Sequence, residues 1–467
     1  ATTAATEFQR PAIEPPGVTE DVITEAQGPD TGGILASKGA QRAAGPVAAP
    51  EGRTAGRDAS GCGIIQGRAA EIGAGVANGT ATGLEWLSLL AGILIVSFTA
   101  LDVIRTLIMT RGSRSIIRTC FANPIAWFIN LFARQSKNYL RRDSIQSWIA
   151  PMMLVGSLSA WLLLYLVGYS LMISGIEGLD ISTSFREAGS SLFTLGFASG
   201  DRTQLSIIDF IAAATGPITI GLMISYLPSL YSSYNRRELD VAILKARAGE
   251  PNWGPEILAR HATLDSDRAH LDQMWRDWER WAADVSESHT SYPALIHTRS
   301  ARPLRNWLIA LLAVMDAAAL SIVLRPHDRQ ISARIMLRQG IECLRDLAVI
   351  EKIHFDPSPK HGDPILLTEQ EFLDAVDMLI NSGYEPHRAG EEAWPLFRDW
   401  RMMYEQIVYS LALKIDAVPA LWSGPRRPAT AQVAPPRPQY IVNASDGSIA
   451  FPTDDSHHRL PPNKRLG

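Results

Sequence analysis

Between Trp148 and Ile173 the chain carries no charged side chain. A run of this length cannot be a solvated surface helix. Crossing a bilayer takes about 20 mostly apolar residues, and inside hydrocarbon every backbone N–H and C=O must bond within the segment. Two further runs meet the same requirement. Trp86 to Met109 does so with Asp102 and Arg105 near its end, i and i+3 neighbours placed to pair at the interface. Leu205 to Tyr234 does so with Asp209 near its start and Arg236-Arg237 just past its end. The chain is therefore expected to cross a membrane three times.

Lys and Arg in short loops set the orientation of such spans. The loop between the first two carries Arg111, Arg114, Arg118, Arg134, Lys137, Arg141 and Arg142, and no acidic residue occurs from Arg105 to Arg142. That loop is expected on the cytoplasmic side. The segment from Ser174 to Ser206 sets Glu177, Asp180, Glu187 and Asp201 against Arg186 and Arg202, and is expected outside. An integral protein of the plasma (inner) membrane follows, with its N-terminus outside and its C-terminal part in the cytoplasm. Within the basic loop Asn123-Pro124 reads as a helix start, followed by Trp127, Phe128, Leu131 and Phe132 and then by Arg134, Lys137 and Arg141. Two readings stay open for this helix. It lies in the inner leaflet's interface, or it packs on the protein itself.

Between the second and third spans, Thr183 to Phe193 has room for three helical turns, with Ser182 to Ser184 as caps. Glu187, Ala188, Ser190, Ser191 and Leu192 give it mixed polarity, and it is too short to span. Such a helix followed by irregular backbone is tolerated at membrane depth only where it lines a water-filled path. Its C-terminal carbonyls aim partial negative charge inward, which favours a cation.

The run Ala188-Gly189-Ser190-Ser191-Leu192-Phe193-Thr194-Leu195-Gly196-Phe197, followed by a spanning helix, resembles the pore of the tetrameric potassium-channel family of the two-helices-per-pore type. The resemblance covers about residues 148–237. It implies a homotetramer with one pore on the four-fold axis. It also implies a selectivity filter at Thr194, Leu195, Gly196, Phe197 and Ala198, whose carbonyls, with the Thr194 hydroxyl, replace the water around a permeating potassium ion. Two departures stand out. The family's second filter glycine is Ala198 here, and alanine in a left-handed conformation costs about 1 kcal/mol. Gly200-Asp201 comes two residues later than the family's Gly-Asp. The first span is additional and has no arginine at every third position, so a voltage sensor is not expected. In the third span Gly216-Pro217, then Gly221 and Pro228, mark a place where a gate would hinge.

From Arg236 the pattern is that of a soluble helical protein. Leu271, Met274, Trp275, Trp278, Ala282 and Val285 form one apolar stripe. Leu337, Ile341, Leu344 and Ala348 form another, extending back through Ile331. Thr368 to Glu371 is a capping box opening a helix with Phe372, Val376 and Leu379. A last helix is expected from about Glu391 to Ala417, with Trp394, Phe397, Trp400, Tyr404, Ile407 and Leu411 among its apolar positions. Asn306 to Leu324 is apolar enough for a fourth span. Asp316 at its centre costs ~3 kcal/mol in a bilayer, and Arg302, Arg305 and Arg325 flank it, so a buried core helix is the better expectation.

The remaining features mainly exclude. A net charge of -4 over 467 residues gives no polyelectrolyte character for nucleic acid. Cys62, Cys120 and Cys343 lie far apart, without a disulfide or zinc spacing. His261, His289 and His297 with Glu287 fit no metal-ligand spacing, no strand precedes a Gly-x-Gly-x-x-Gly, and no catalytic triad or carboxylate pair is arranged, so an enzyme is not expected. No charged n-region with an apolar core opens the chain.

The expected layout is an all-α membrane protein: a disordered tail (1–83), transmembrane helix (84–110), basic cytoplasmic loop (111–147), pore domain (148–235), helical cytoplasmic domain (236–423) and disordered Pro-rich tail (424–467). The expected function is passive cation flux, potassium above all, with no cofactor beyond the permeating ion. Its partners would be the lipid bilayer, three further copies of the chain and a monovalent cation. The alternative is a non-conducting membrane-anchored scaffold or sensor with a vestigial pore.

Overall fold

Glycines set how the apolar helices meet. The computed structural model describes residues 64–109, 116–136, 138–178, 180–198, 203–264, 269–427, 429–437, 441–442 and 449–450. The chain divides into two compact units, 1–68 and 69–467; of the first, only the opening turn of α1 is described. Helix α1 spans Ile64–Leu107, α2 Ile116–Ala133, α3 Tyr139–Gln146, α4 Ile149–Glu177, α5 Ile181–Leu192 and α6 Thr203–Ala248. On α4, a Cβ at Gly168 would lie 2.7 Å from Val96 of α1, and one at Gly175 would lie 2.6 Å from the Glu85 carbonyl. The two backbones approach closely only because these positions carry no side chain. Ser88 Oγ then donates to the Leu171 carbonyl (2.9 Å), and Trp161 Nε1 donates to Asp102 (3.0 Å).

Among the described residues four helices are long and apolar enough to cross a membrane: those holding 83–107, 139–177, 205–248 and 307–324. Three keep open apolar surface, such as Leu94, Leu163 and Phe210. The fourth has none.

That fourth helix, α9, belongs to the helical bundle after the membrane-type segments. α7 spans Gly254–Leu264, α8 Ala269–Ser291, α9 Trp307–Leu324, α10 Ile331–Glu351, α11 Glu369–Asn381, α12 Gly390–Met402 and α13 Glu405–Lys414. A 3₁₀ turn at Pro293–His297 joins α8 to α9, and two-residue antiparallel strands pair Ile441–Val442 with Ile449–Ala450. Every residue of α9 is buried, with α6, α7, α8, α10, α12 and α13 around it. Its acid is answered within the protein: Asp316 accepts from Tyr404 OH (2.8 Å) and pairs with the fully buried Arg401. Arg401 in turn pairs with Glu405 (2.9 Å) and donates to Tyr409 OH (3.0 Å). A buried charge persists only when paired and hydrogen-bonded in this way.

The stripes read from the sequence at 271–285 and 337–348 are buried, and the Thr368–Glu371 capping box is formed. Five expectations need correction. α1 already begins at Ile64, within the segment expected to be disordered; residues 1–63 lie outside the described residues. α2 begins at Ile116 and carries Pro124 inside it, so Asn123-Pro124 is not its start. Ile331 is 67% exposed, and the α10 stripe begins at Ala333. The last helix is two helices, broken at Tyr404, where the chain turns to bring that hydroxyl to Asp316. The Pro-rich tail is docked as far as Arg437. Arg426 is buried on the carbonyls of Ala417, Val418 and Ser423, Val433 N donates to Pro419 O (2.7 Å), and Arg437 pairs with Glu256 (3.3 Å). Guanidinium donors satisfy the carbonyls left free after α13.

Candidate pore loop and its cytoplasmic attachment

α5 has 12 residues, about 18 Å at 1.5 Å per residue, too short for a hydrocarbon core of ~30 Å. Its N-cap is Asp180, which accepts from Ser182 N (3.3 Å), rather than a serine of the 182–184 run. One side, with Ser184, Glu187, Ala188 and Leu192, is buried between α4 and α6. Gly216 of α6 faces the end of α5 so closely that a Cβ there would lie 2.0 Å from the Leu192 carbonyl oxygen. Beside it, Tyr169 of α4 and Thr215 of α6 share a hydrogen bond of 2.8 Å. Ser191 Oγ donates to Asp209 of α6 (2.5 Å). The short helix is thus fixed to both of its long neighbours.

Beyond Leu192 the backbone leaves the helix. Thr194 and Gly196 take positive φ, 54° and 70°. Leu195 N donates to Ser190 O (2.7 Å), and Ala198 N donates to Ser190 Oγ (3.0 Å), so one buried serine holds both ends of the loop. Thr194 Oγ1 donates to Phe193 O (2.7 Å). Among the described residues no hydrogen bond ends on the carbonyls of Thr194, Leu195, Gly196 or Phe197. Ala198 is not left-handed. The strain assigned to it falls on Thr194, whose Cβ meets the same backbone crowding. Gly200-Asp201 lies outside the described residues.

α6 continues as one helix through Pro217 and Pro228 into the bundle. There Arg237 is fully buried. Its guanidinium donates to Leu295 O (2.8 Å), Thr298 O (3.0 Å), Glu238 (2.9 Å) and His289 Nε2 (3.1 Å), and lies over the rings of Tyr234 and Trp307. Arg299, one residue past Thr298, reaches the other way: it pairs with Asp143 of α3 and donates to Ile415 O (2.7 Å). Arg142 of α3 is fully buried and pairs with Asp416 (2.5 Å). This arginine, counted with the basic loop, therefore grips the bundle rather than lipid. α3 runs almost directly into α4, so the strap 293–299 is tied to α6 and, through α3, to the start of α4. At its middle His297 meets Glu351 of α10 (3.3 Å), which also binds Lys414 (2.6 Å). Burial pushes the Glu351 carboxyl up, but the bonds and charges of His297 and Lys414 outweigh it and hold it at about 2.

The residues expected from the sequence to act are Thr194 to Ala198, Gly216 and Pro217. The structure sets Thr194 to Ala198 at the end of α5 and Gly216 against that same end. Ser190, Asp209, Arg237 and Arg299 were missed as working residues. Asp209 had a signal, since an acid inside an apolar span calls for a partner. No protein-family model, curated protein or solved structure matches this chain.

Proposed function

We propose that this chain is one subunit of a homotetrameric cation channel that conducts potassium passively, with its helical bundle on the cytoplasmic side. The observation that carries this reading is the loop after α5. Four consecutive carbonyls, Thr194 to Phe197, follow a helix too short to span and accept no hydrogen bond among the described residues. Such carbonyls are tolerated at membrane depth where protein, water or an ion satisfies them. A ring of four such loops supplies the oxygen shell that a dehydrated monovalent cation needs.

Supporting surfaces agree. Leu195 is 63% exposed and Phe197 59% exposed on a single chain, and Ile207, Phe210 and Ile211 of α6 are open as well. Three further copies would cover them. In this reading α1, α4 and α6 span the bilayer and α9 does not, having no lipid-facing side. α2 joins both uses considered for it. Ile125 fills the space at Gly156 of α4, while Trp127, Phe128, Leu131 and Phe132 stay open for the lipid interface.

The direct test is ion flux through purified protein in liposomes under a potassium gradient. Potassium flux is expected, exceeding that of sodium. Absence of any cation flux from folded, membrane-inserted protein leaves the scaffold or sensor reading.

A further inference from the structure

We infer that the contact between Arg237 and His289 is an acid-sensitive latch joining the bundle to α6. Its effect on gating rests on the channel reading; the latch itself does not.

The chemistry of the contact is one-sided. A guanidinium only donates, so His289 Nε2, 3.1 Å from Arg237 Nη1, must supply a lone pair. The ring proton then sits on Nδ1, which faces Ser288 Oγ at 3.1 Å. Protonation would set an N–H against an N–H and one cation against another, both buried. The neighbours of the imidazole leave that conflict standing. From α6 it meets Arg237, whose carboxylate partner among the described residues, Glu238, binds the guanidinium. From its own α8 it meets Ser288 and the Val285 backbone, whose hydrogen bond favours the protonated ring but is outweighed by burial and the Arg237 charge, and from α9 the ring of Trp307 at 5.2 Å. The strap contributes Leu295 O and Thr298, both bound to Arg237. Among the described residues no carboxylate reaches the ring. Burial and the Arg237 charge hold the His289 imidazole well below the ordinary histidine range. The open form therefore binds more protons than the closed one, and the closed form loses stability as pH falls below about 6.5.

Acid thus loosens the strap and α8 from α6 at this contact.

Hydrogen–deuterium exchange on the full-length protein in detergent tests this. Between pH 7.5 and pH 5.5, corrected for intrinsic exchange, amides at 234–240 and 293–299 should lose about tenfold in protection, while those of α9 and α10 do not. His289→Gln keeps an acceptor for Arg237 but cannot take a proton, and should abolish the response. Equal protection at both pH values in the wild type overturns the latch, as does an intact acid response in His289→Gln. If that variant does not fold, ¹⁵N-histidine spectra of the wild type decide. An Nε2 that carries a proton at pH 7.5 overturns the proposal; an unprotonated Nε2 whose protonation accompanies the loss of protection supports it. Flux without the acid response would sink the latch alone, and the acid response without flux would sink the channel alone.

Discussion

Ser190 holds the loop after α5 at two points, so its loss should be felt there first. Ser190→Ala leaves the part-buried Ala198 N–H without its partner, a cost of about 1 kcal/mol. The expected outcome is a lower potassium-to-sodium permeability ratio with the assembly intact, and Ser190→Thr should restore it. Gly216 makes a different kind of prediction. Its Cβ would overlap the Leu192 carbonyl, so Gly216→Ala should push α5 out of place and cost about 1–3 kcal/mol in denaturant unfolding. Were Gly216 a free hinge, alanine would instead leave stability unchanged or raise it. The short helix α5 and the irregular backbone after it, with Thr194 to Ala198, were legible from the order of residue types, because a short polar run with caps and a Thr-x-Gly-aromatic sequence lies between two long apolar segments. Ser190 was not. Its role depends on a chain reversal that brings a residue eight positions later back onto its hydroxyl, and no periodicity encodes that.

Elements whose apolar faces repeat at helical spacing were legible in advance: the α8 and α10 stripes and the Thr368 capping box. Helix ends in the bundle were less so. The break between α12 and α13 follows from Tyr404 turning to meet Asp316, a partner 88 positions away. The docked tail follows from Arg426 finding carbonyls that only the folded bundle gathers. The strap's hold on α10 predicts an acid limit to stability. The Glu351 carboxyl, depressed in the fold to about 2 from an ordinary value near 4.5, contributes stability that is complete above pH 4.5. That contribution drains away as pH falls towards 2. Thermal melting of Glu351→Gln should lie below the wild type at neutral pH, with the gap closing across that acid range. A gap that persists at pH 2 would mean that packing, not charge, holds the strap there.

At the scale of the molecule, one continuous helix runs from the loop after α5 to the bundle. α6 passes from Gly216 to Arg237 without a linker, and α4 is tied through α3 to the same strap. The expected orientation rests on the acid-free basic stretch from Arg105 to Arg142. In a background lacking native cysteines, Gln135→Cys should be shielded from membrane-impermeant reagents in intact cells and Leu179→Cys should react; the reverse pattern would invert the topology. In the proposed channel ions pass at Thr194 to Phe197. Wild type and Gly196→Val, reconstituted side by side in potassium-loaded liposomes, decide this. Gly196 holds a φ of 70°, which a β-branched side chain resists. Potassium flux is expected from the wild type and none from an equally assembled Gly196→Val; equal flux from both would show that ions take another path.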